Sequence, residues 1–516
     1  MESIFGEGIR RNHELHMQEL DTRPGDHYAM RQAISAVTAL TPIAFLVLFA
    51  ASSAAQEGAQ GADERIPAQQ FNSTLCLTVR VIEEEGRYPW TVGTTRPGHP
   101  VDIPSCVRWW IDPGLRVRTD AVWQEIKLEK APGLWLRQVG DKDLAHIKDM
   151  KGLQWLRFPE SFVKEAANWA HLKDLPELRS LYIGGSVKDR ELMYIGKLSG
   201  LTSLCFGGRT VTDRGLAHLT GLTSLRSLEC GGHYVTDAGL AHIKELKQLR
   251  WLDLCGARIT DAGLAHLKEL ERLEWLRLWG TPVTDTGLVH LKGCLQLRAL
   301  YLPGTITDAG AAHLKDMSAL QTLWLSGAQI TDVGFADISR LQQLRTLNLR
   351  NTQVGDRGMA FLKKLSKLET LDLGGTQVTD AGLVCLKELA GLKSIDLWNT
   401  QVTDAGLSYL TALKELQSLK LCDTKVTDAG LVHLEHLKAL QQLYLPKQVT
   451  DAGMAHMRGL EGLQVLYLGW SQVSDSGLTH LKELKSLQHL YLRKTKVTGS
   501  GFQALKKALP GIQIVW

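Results

Sequence analysis

The sequence predicts an α/β solenoid, in which similar coils of one short strand and one short helix stack on each other. The phrase Val-Thr-Asp-Ala-Gly-Leu, with small variations, recurs along the last three-quarters of the chain, and its aspartates are 24 residues apart except for two steps of 23. A fixed period in this range is typical of a supersecondary unit stacked on copies of itself. The recurring aspartates are Asp213, Asp237, Asp261, Asp285, Asp308, Asp332, Asp356, Asp380, Asp404, Asp428, Asp451 and Asp475.

One unit, residues 249–270, shows why each coil contains both kinds of element. Its first half follows the pattern L-x-x-L-x-L, whose alternation is typical of a strand with one buried face. Its second half places leucines three residues apart, which predicts the apolar stripe of a short helix. Thr260 or Asp261 stands where an N-cap is needed, and we interpret the recurring Asp as such a cap. The phrase weakens at both ends of the array, and we count about sixteen coils between Val139 and Val497.

The pattern L-x-x-L-x-L-x-x-T-x-V-T-D-A-G-L resembles the leucine-rich repeat family, over residues 134–516. It is most similar to bacterial arrays of near-identical repeats and to the ribonuclease-inhibitor-like and cysteine-containing subtypes. The resemblance implies a curved parallel inner sheet with outer helices, and protein partners more often than other ligands. The position often occupied by Asn or Cys after the strand is mostly Thr here. We expect these threonines to hydrogen-bond to turn groups of the neighbouring coil. They are Thr281, Thr352, Thr376, Thr400, Thr424 and Thr495.

The chain before the repeats divides into three segments. Residues 1–32 form a polar N-terminal tail, residues 33–55 are uncharged and hydrophobic, and residues 56–133 form a linker and an expected N-terminal cap for the first coil. The hydrophobic segment is long enough to span a bilayer, which takes about 20 residues. It also fits a cleaved signal peptide, and for that reading Met30 is a better start than Met1. Both readings predict a membrane-anchored or secreted protein whose repeats are extracytoplasmic.

Composition and motifs argue against several classes of function. A net charge of +4 on 516 residues is too small to indicate nucleic-acid binding. No nucleophile elbow, Walker loop, zinc-protease helix or dinucleotide fingerprint is present. Histidines recur at one helix position, but neighbouring helices are about 8–10 Å apart, too far to share one metal ion. We therefore expect no catalytic residues, no metal site and no cofactor.

The strand face carries the only differentiated chemistry. Strands pack about 4.8 Å apart and helices about 8–10 Å apart, so the strands should line a concave wall. Its outward positions are rich in aromatic and charged residues, and aromatic residues and Arg are enriched at the centres of protein interfaces. We expect these side chains to be exposed and to form the ligand-binding site. The predicted site residues are Trp251, Asp253, Trp275, Arg277, Trp279, Tyr301 and Trp324.

The sequence thus predicts a non-enzymatic recognition protein, exported or tethered to a membrane, that binds a protein, peptide or glycan on its concave face. The alternative is an adaptor or regulator of an enzyme, in the manner of ribonuclease-inhibitor-like and F-box leucine-rich repeat proteins. The hydrophobic residues 33–55 favour the first hypothesis, because they argue against a cytosolic protein.

Overall fold

The computed structural model describes the backbone of five strands between residues 69 and 112, and residues 123–124, 132–158, 160–161, 163, 165–184, 187–207 and 210–516. Residues 33–55 lie outside this part of the chain. Within it, no helix has the length and apolar character needed to cross a membrane. The described residues divide into two compact units: the first comprises those up to residue 230 together with residues 248–251, and the second comprises residues 231–247 and 252–516.

The strands are short and recur once per coil. Those that precede the repeats are β1 (Gln69–Phe71), β2 (Thr78–Ile82), β3 (Trp90–Thr94), β4 (Val101–Ile103) and β5 (Arg108–Asp112). The next strands are β6 (Gly133–Trp135), β7 (Gln138–Val139), β8 (Trp155–Phe158), β9 (Glu160–Ser161), β10 (Ser180–Ile183), β11 (Ser203–Phe206), β12 (Ser227–Glu229) and β13 (Trp251–Asp253). The remaining strands are β14 (Trp275–Arg277), β15 (Ala299–Tyr301), β16 (Thr322–Trp324), β17 (Thr346–Asn348), β18 (Thr370–Asp372), β19 (Ser394–Asp396), β20 (Ser418–Lys420), β21 (Gln442–Tyr444), β22 (Val465–Tyr467), β23 (His489–Tyr491) and β24 (Gln513–Val515).

Each coil returns to the next strand through a short helix. The α-helical segments are Asp141–Ile147, Asp189–Ile195, Asp213–Ala217, Asp237–Ile243, Asp261–Leu264, Asp308–Leu314, Asp332–Ile338, Asp356–Met359, Asp380–Leu383, Asp404–Leu407, Asp451–Met454, Asp475–Leu478 and Gly499–Ala508. The 3₁₀ segments are Ala166–Asp174, Ala265–Glu269, Asp285–Gly293, Leu362–Lys364, Val384–Glu388, Ser408–Ala412, Asp428–Leu434, Ala455–Gly459 and Thr479–Leu481.

The predicted α/β solenoid, with its leucine core, is confirmed. In the coil of residues 249–270 the strand leucine Leu252 and the helix leucines Leu264, Leu267 and Leu270 are all fully buried. Strands β14 to β24 pair in parallel, each with the next, so that equivalent residues of successive coils lie side by side. In the first unit β6, β8, β10, β11 and β12 pair in the same way, and β5 pairs in parallel with β6.

The recurring aspartate joins neighbouring coils and does not cap its own helix, which corrects the prediction from the sequence. The N-cap residue of the helix that begins at Asp261 is Thr260. The Asp308 carboxylate instead accepts two hydrogen bonds from Thr331 of the next coil, at 2.8 Å from the amide nitrogen and 2.6 Å from Oγ1. The amide and the hydroxyl of Thr331 are thereby both engaged. Its Oγ1 also accepts a hydrogen bond from the amide of Val333 at 3.2 Å. Equivalent bonds recur in most coils, for example from Thr498 to Asp475, where they lower the pKa of the Asp475 carboxyl.

The glycine of the repeated phrase is required by this carboxylate. A Cβ atom on Gly334 would lie 2.3 Å from Oδ1 of Asp308, far inside van der Waals contact. The same conflict recurs between Gly406 and Asp380, at 2.3 Å. The aspartate of one coil and the glycine of the next are therefore a matched pair.

The threonines after the strands are hydrogen-bonded to their own coil, and all of them except the half-buried Thr495 are buried. Oγ1 of Thr376 donates to the carbonyl oxygen of Leu373 at 2.6 Å, and Thr400 donates to Leu397 at 2.7 Å. Bonds to a neighbouring coil were expected, and this expectation is wrong. The hydroxyl closes the turn that follows the strand, where the residue before the threonine has a positive φ in most coils.

That left-handed residue also explains the two short steps of 23 residues. Gly375 has a φ of 69° and donates its amide to Trp398 of the next coil at 2.7 Å. Positive φ is the region that favours Gly, Asn and Asp. Both short coils carry a proline after the strand, Pro303 and Pro446, and the residue that follows each proline has no positive φ. The residue that is missing from each short coil is thus the left-handed one.

Replacing Gly334 with Ala should lower the free energy of unfolding by roughly 1–3 kcal/mol, the usual cost of overpacking, although Ala is the better helix former. Urea unfolding of the purified variant measures the change. The control is Gly391→Ala, because a Cβ at Gly391 meets no atom within 4 Å. In the double variant with Asp308→Ala, the loss should be smaller than the sum of the two single losses; additive losses would exclude the proposed clash.

Candidate ligand-binding surface on the strand face

The strand face is the side of the sheet that points away from the helices. On it, the last residues of consecutive strands form one continuous row, because the strands pair in parallel and in register. We call this the outer row. Within the second unit its members are Arg277, Tyr301, Trp324, Asn348, Asp372, Asp396, Lys420, Tyr444, Tyr467 and Tyr491.

Most of the predicted site residues are less exposed than the sequence suggested. Trp324 is half-buried and Trp279 is 44% exposed. The expectation of exposure is wrong for the other five. Of these, Trp251 belongs to the first unit and the rest to the second. The exposed fractions are 2% for Trp251, 2% for Asp253, 5% for Trp275, 6% for Arg277 and 8% for Tyr301.

Contacts with two neighbouring aromatic rings account for the burial of Tyr301. Its ring centroid lies 4.9 Å from that of Trp275 on one side and 5.3 Å from that of Trp324 on the other. At the spacing of neighbouring strands, consecutive rings pack against each other, here at tilts of 46° and 30°. Burial raises the pKa of the Tyr301 hydroxyl to about 12, so it stays protonated. The three rings form a rigid apolar shelf on the strand face.

The predicted residues Asp253 and Arg277 form a buried ion pair. Nη1 of Arg277 lies 3.2 Å from Oδ2 of Asp253, and the side chains are 8% and 2% exposed. Oδ1 of Asp253 accepts the amide of Cys255 at 2.7 Å. Burial raises the pKa of the Asp253 carboxyl, against the opposing effect of Arg277. This pair holds Arg277 in place and leaves neither charge free for a ligand.

A second cluster lies in the middle of the outer row, and we call it the charged centre: Arg350, Asp372, Asp396 and Lys420. Oδ2 of Asp396 accepts from Arg350 at 3.3 Å and from Lys420 at 3.1 Å. Oδ2 of Asp372 accepts from the amide of Asn348 at 2.8 Å. The two Oδ1 atoms accept backbone amides at 2.9 Å, each from the residue two positions after the end of its strand. Every carboxylate oxygen is therefore engaged, and the four formal charges cancel.

Arg350 reaches across an entire coil to make these contacts. Its guanidinium lies over the ring of Trp398, with Cζ 4.3 Å from the ring centroid. The path runs over Gly374, where a Cβ atom would stand 2.7 Å from Nη1 of Arg350. The glycine therefore permits a brace between coils that are not neighbours.

The Asp372 carboxyl has a pKa raised to about 6, chiefly because it is buried and further because Asp396 repels its charge. Arg350 opposes this shift. This carboxyl therefore changes its charge as the pH passes through about 6.

The outer row ends in three stacked tyrosines, which we call the tyrosine row: Tyr444, Tyr467 and Tyr491. The ring centroids of Tyr444 and Tyr467 are 5.6 Å apart, and those of Tyr467 and Tyr491 are 5.4 Å apart. All three side chains are half-buried. Burial raises the pKa of Tyr467 to about 12. The row offers ring edges and protonated hydroxyls to a ligand.

The predicted site residues include Arg277, Tyr301 and Trp324 of the outer row, but the sequence analysis missed the two cations of the charged centre. Lys420 occupies the same strand position as Asp396, and aligning the coils by that position would have found it. Arg350 follows its strand by two residues, and its partner Asp396 is 46 residues away, so no local pattern reveals the pair. Among the described residues, no group of three or more His, Cys, Asp or Glu side chains is arranged to hold a metal ion.

Comparison with known proteins identifies the repeats. Residues 282–510 match the family model described as a leucine-rich repeat region. No curated protein matches the sequence. Solved structures with a similar fold include an internalin from Listeria monocytogenes, at 23% identity over 64% of this chain and 88% of the internalin, with a TM-score of 0.49. A Leptospira interrogans leucine-rich repeat protein shares 20% identity over 78% of this chain and 93% of its own, with a TM-score of 0.45. A plant peptide hormone receptor in complex with RGF2 shares 14% identity over 75% and 78%, with a TM-score of 0.37.

Asp372 should make the stability of the array depend on pH. Because its folded pKa lies above the usual value, its contribution to stability is largest below about pH 4 and is lost as the pH rises through about 6. Asp372→Asn lacks this titration. The stability of the wild type relative to Asp372→Asn should therefore rise by roughly 1–3 kcal/mol between pH 7.5 and pH 4. Urea unfolding at several pH values measures this, with the exposed Asp316→Asn as control; a difference that does not vary with pH would contradict the assignment.

Proposed function

Residues 282–510 are a leucine-rich repeat region, and on that premise we propose that the chain is a non-catalytic recognition protein that binds a protein or peptide on its strand face. One observation carries the proposal: the outer row is a continuous line of side chains on consecutive strands. The apolar shelf around Tyr301 lies on one side of the charged centre, and the tyrosine row lies on the other.

The fixed geometry of these side chains supports binding. Aromatic rings that are already stacked lose little conformational freedom when a partner covers them, and Arg350 is held by an ion pair and by the ring of Trp398. Trp, Tyr and Arg are the residues enriched among interface hot spots. A partner lying along the strands would meet several such residues without reorganising the surface.

The charged centre supports recognition rather than catalysis. A general acid or base needs an oxygen that can reach a substrate. The four carboxylate oxygens of Asp372 and Asp396 instead accept hydrogen bonds from within the protein. This network braces the surface and neutralises its charge. Such a surface suits a partner that covers both the apolar shelf and the tyrosine row.

We also propose that the repeats are extracytoplasmic, on the basis of the hydrophobic residues 33–55 in the sequence. Fractionation of cells that express the full chain with a C-terminal tag tests this directly. The tag should be accessible to protease added outside the cytoplasmic membrane. Protection of the tag until the cells are lysed would contradict export.

Trp279→Ala tests the binding surface. This side chain is 44% exposed, so its loss should leave the melting temperature nearly unchanged. It should weaken partner binding by at least about 2 kcal/mol, the threshold of a hot spot, or roughly 30-fold in Kd. The full chain is immobilised, proteins from the source cells are captured, and the Kd of each captured protein is measured.

The matched control is Leu295→Ala, which removes an apolar side chain that is 72% exposed and lies just after the 3₁₀ segment Asp285–Gly293, outside the strands. Captured proteins should bind this variant as they bind the wild type. Glycan binding is tested with the same three proteins on a glycan array. If every captured protein binds all three proteins equally, the part of the strand face next to Trp279 is not the binding surface.

A further inference from the structure

We infer that the last coils of the second unit form a docking surface for an extended, acidic peptide segment. The surface consists of the tyrosine row, Trp470 and a basic edge, which we define as Lys425, Lys447, Arg493, Lys494 and Lys496. The inference rests on the proposed recognition function and names the chemistry of one partner.

The tyrosine row has polar groups that no part of the described structure uses. Among the described residues, the hydroxyls of Tyr444, Tyr467 and Tyr491 have no hydrogen-bond partner, although their rings are half-buried. Burial raises the pKa values of Tyr444 and Tyr467, so their hydroxyls remain donors. Spaced one strand apart, the three hydroxyls suit the carbonyl and carboxylate oxygens of an extended chain.

Trp470 occupies a position that its own backbone disfavours. It has a φ of 62°, whereas the equivalent residue is Gly in four coils, Asn or Asp in three others and Lys494 in one. A bulky side chain in the left-handed region is strained. Burial of the side chain does not compensate for this strain, because Trp470 is 41% exposed. Strain combined with exposure of a large aromatic side chain is typical of functional sites rather than of cores.

Unpaired cations flank these aromatic residues. The lysines of the basic edge are exposed, and Arg493 is half-buried with Cζ 5.9 Å from the ring centroid of Trp470. Among the described residues, none of the five cations of the basic edge makes an ion pair; Asp423 is the single acidic residue in the same turns. The corresponding turns after β14 to β19 contain one cation, Arg350, and it is paired.

Charge complementarity therefore selects the occupant. Excess positive charge beside an aromatic row favours a partner with carboxylates, and the row of hydroxyls favours an extended backbone. Because the charged centre is already neutral, specificity for acidic residues comes from the last coils alone. The attraction should weaken as salt is added.

The test is panning of a random twelve-residue peptide display library against the full chain. Enriched peptides should be rich in Asp and Glu, and their Kd is measured by fluorescence anisotropy. The double variant Lys447→Glu, Lys494→Glu should weaken their binding at least tenfold, and so should raising the salt. The matched control Lys363→Glu, Lys387→Glu makes the same charge change at exposed helix-side positions and should alter the Kd less than twofold.

A further variant keeps the test independent of folding. Trp470→Asn puts a favourable residue in the left-handed position, so its unfolding midpoint should not fall, while the Kd for the enriched peptides should rise several-fold.

The outcomes separate this inference from the general proposal. Peptides without acidic bias that depend on Trp279 but not on Lys447 and Lys494 would overturn the inference and leave the proposed function standing. No enrichment, or enrichment unaffected by every strand-face variant, would overturn both. Binding of a labelled single-stranded DNA through Lys447 and Lys494, without acidic peptides among the enriched clones, would overturn the inference in favour of nucleic acid.

Discussion

The structure depends on one type of contact that is repeated between neighbouring coils. In it, the aspartate of one coil accepts hydrogen bonds from the amide and the hydroxyl of the next coil's N-cap residue. The contact between Asp308 and Thr331 is representative. It places a negative charge at a helix start, where backbone amides are otherwise unpaired. It also fixes the distance and register between coils, and it excludes every side chain at Gly334. The repeated phrase therefore encodes a joint between coils as well as a helix start.

This regular joint allows the strand face to vary. Because the core and the joints are the same from coil to coil, the outward strand residue can be Tyr301 in one coil, Asp372 in another and Lys420 in a third. Parallel register then places such residues one strand spacing apart. The order of these residues along the row determines their contacts: neighbouring rings pack against each other, and neighbouring opposite charges pair. The face is a linear surface whose chemistry changes along the array.

The period of the sequence was sufficient to predict the strand, the helix, the buried leucines and the α/β class, because each depends on spacing within one coil. The period could not predict the contacts between side chains of different coils. The partner of Asp308 is 23 residues away, and the partner of Arg350 is two coils away. Exposure of the aromatic residues was misjudged for the same reason, since the ring that covers Tyr301 belongs to another coil. Trp470 could have been noticed by aligning the turns, where most of the equivalent residues are Gly, Asn or Asp.

The joint between coils also bears on how such an array changes its length during evolution. Each aspartate joins only the next coil, so duplicating or deleting one whole repeat unit rebuilds an equivalent joint. The joints also survive the loss of one turn residue in the two short coils, for example between Asp285 and Thr307. The brace from Arg350 is different, because it crosses the coil of Asp372 to reach Asp396. Adding or removing a repeat there would leave a buried guanidinium without its partner. Selection should therefore tolerate changes in repeat number elsewhere in the array and conserve the number between these two residues.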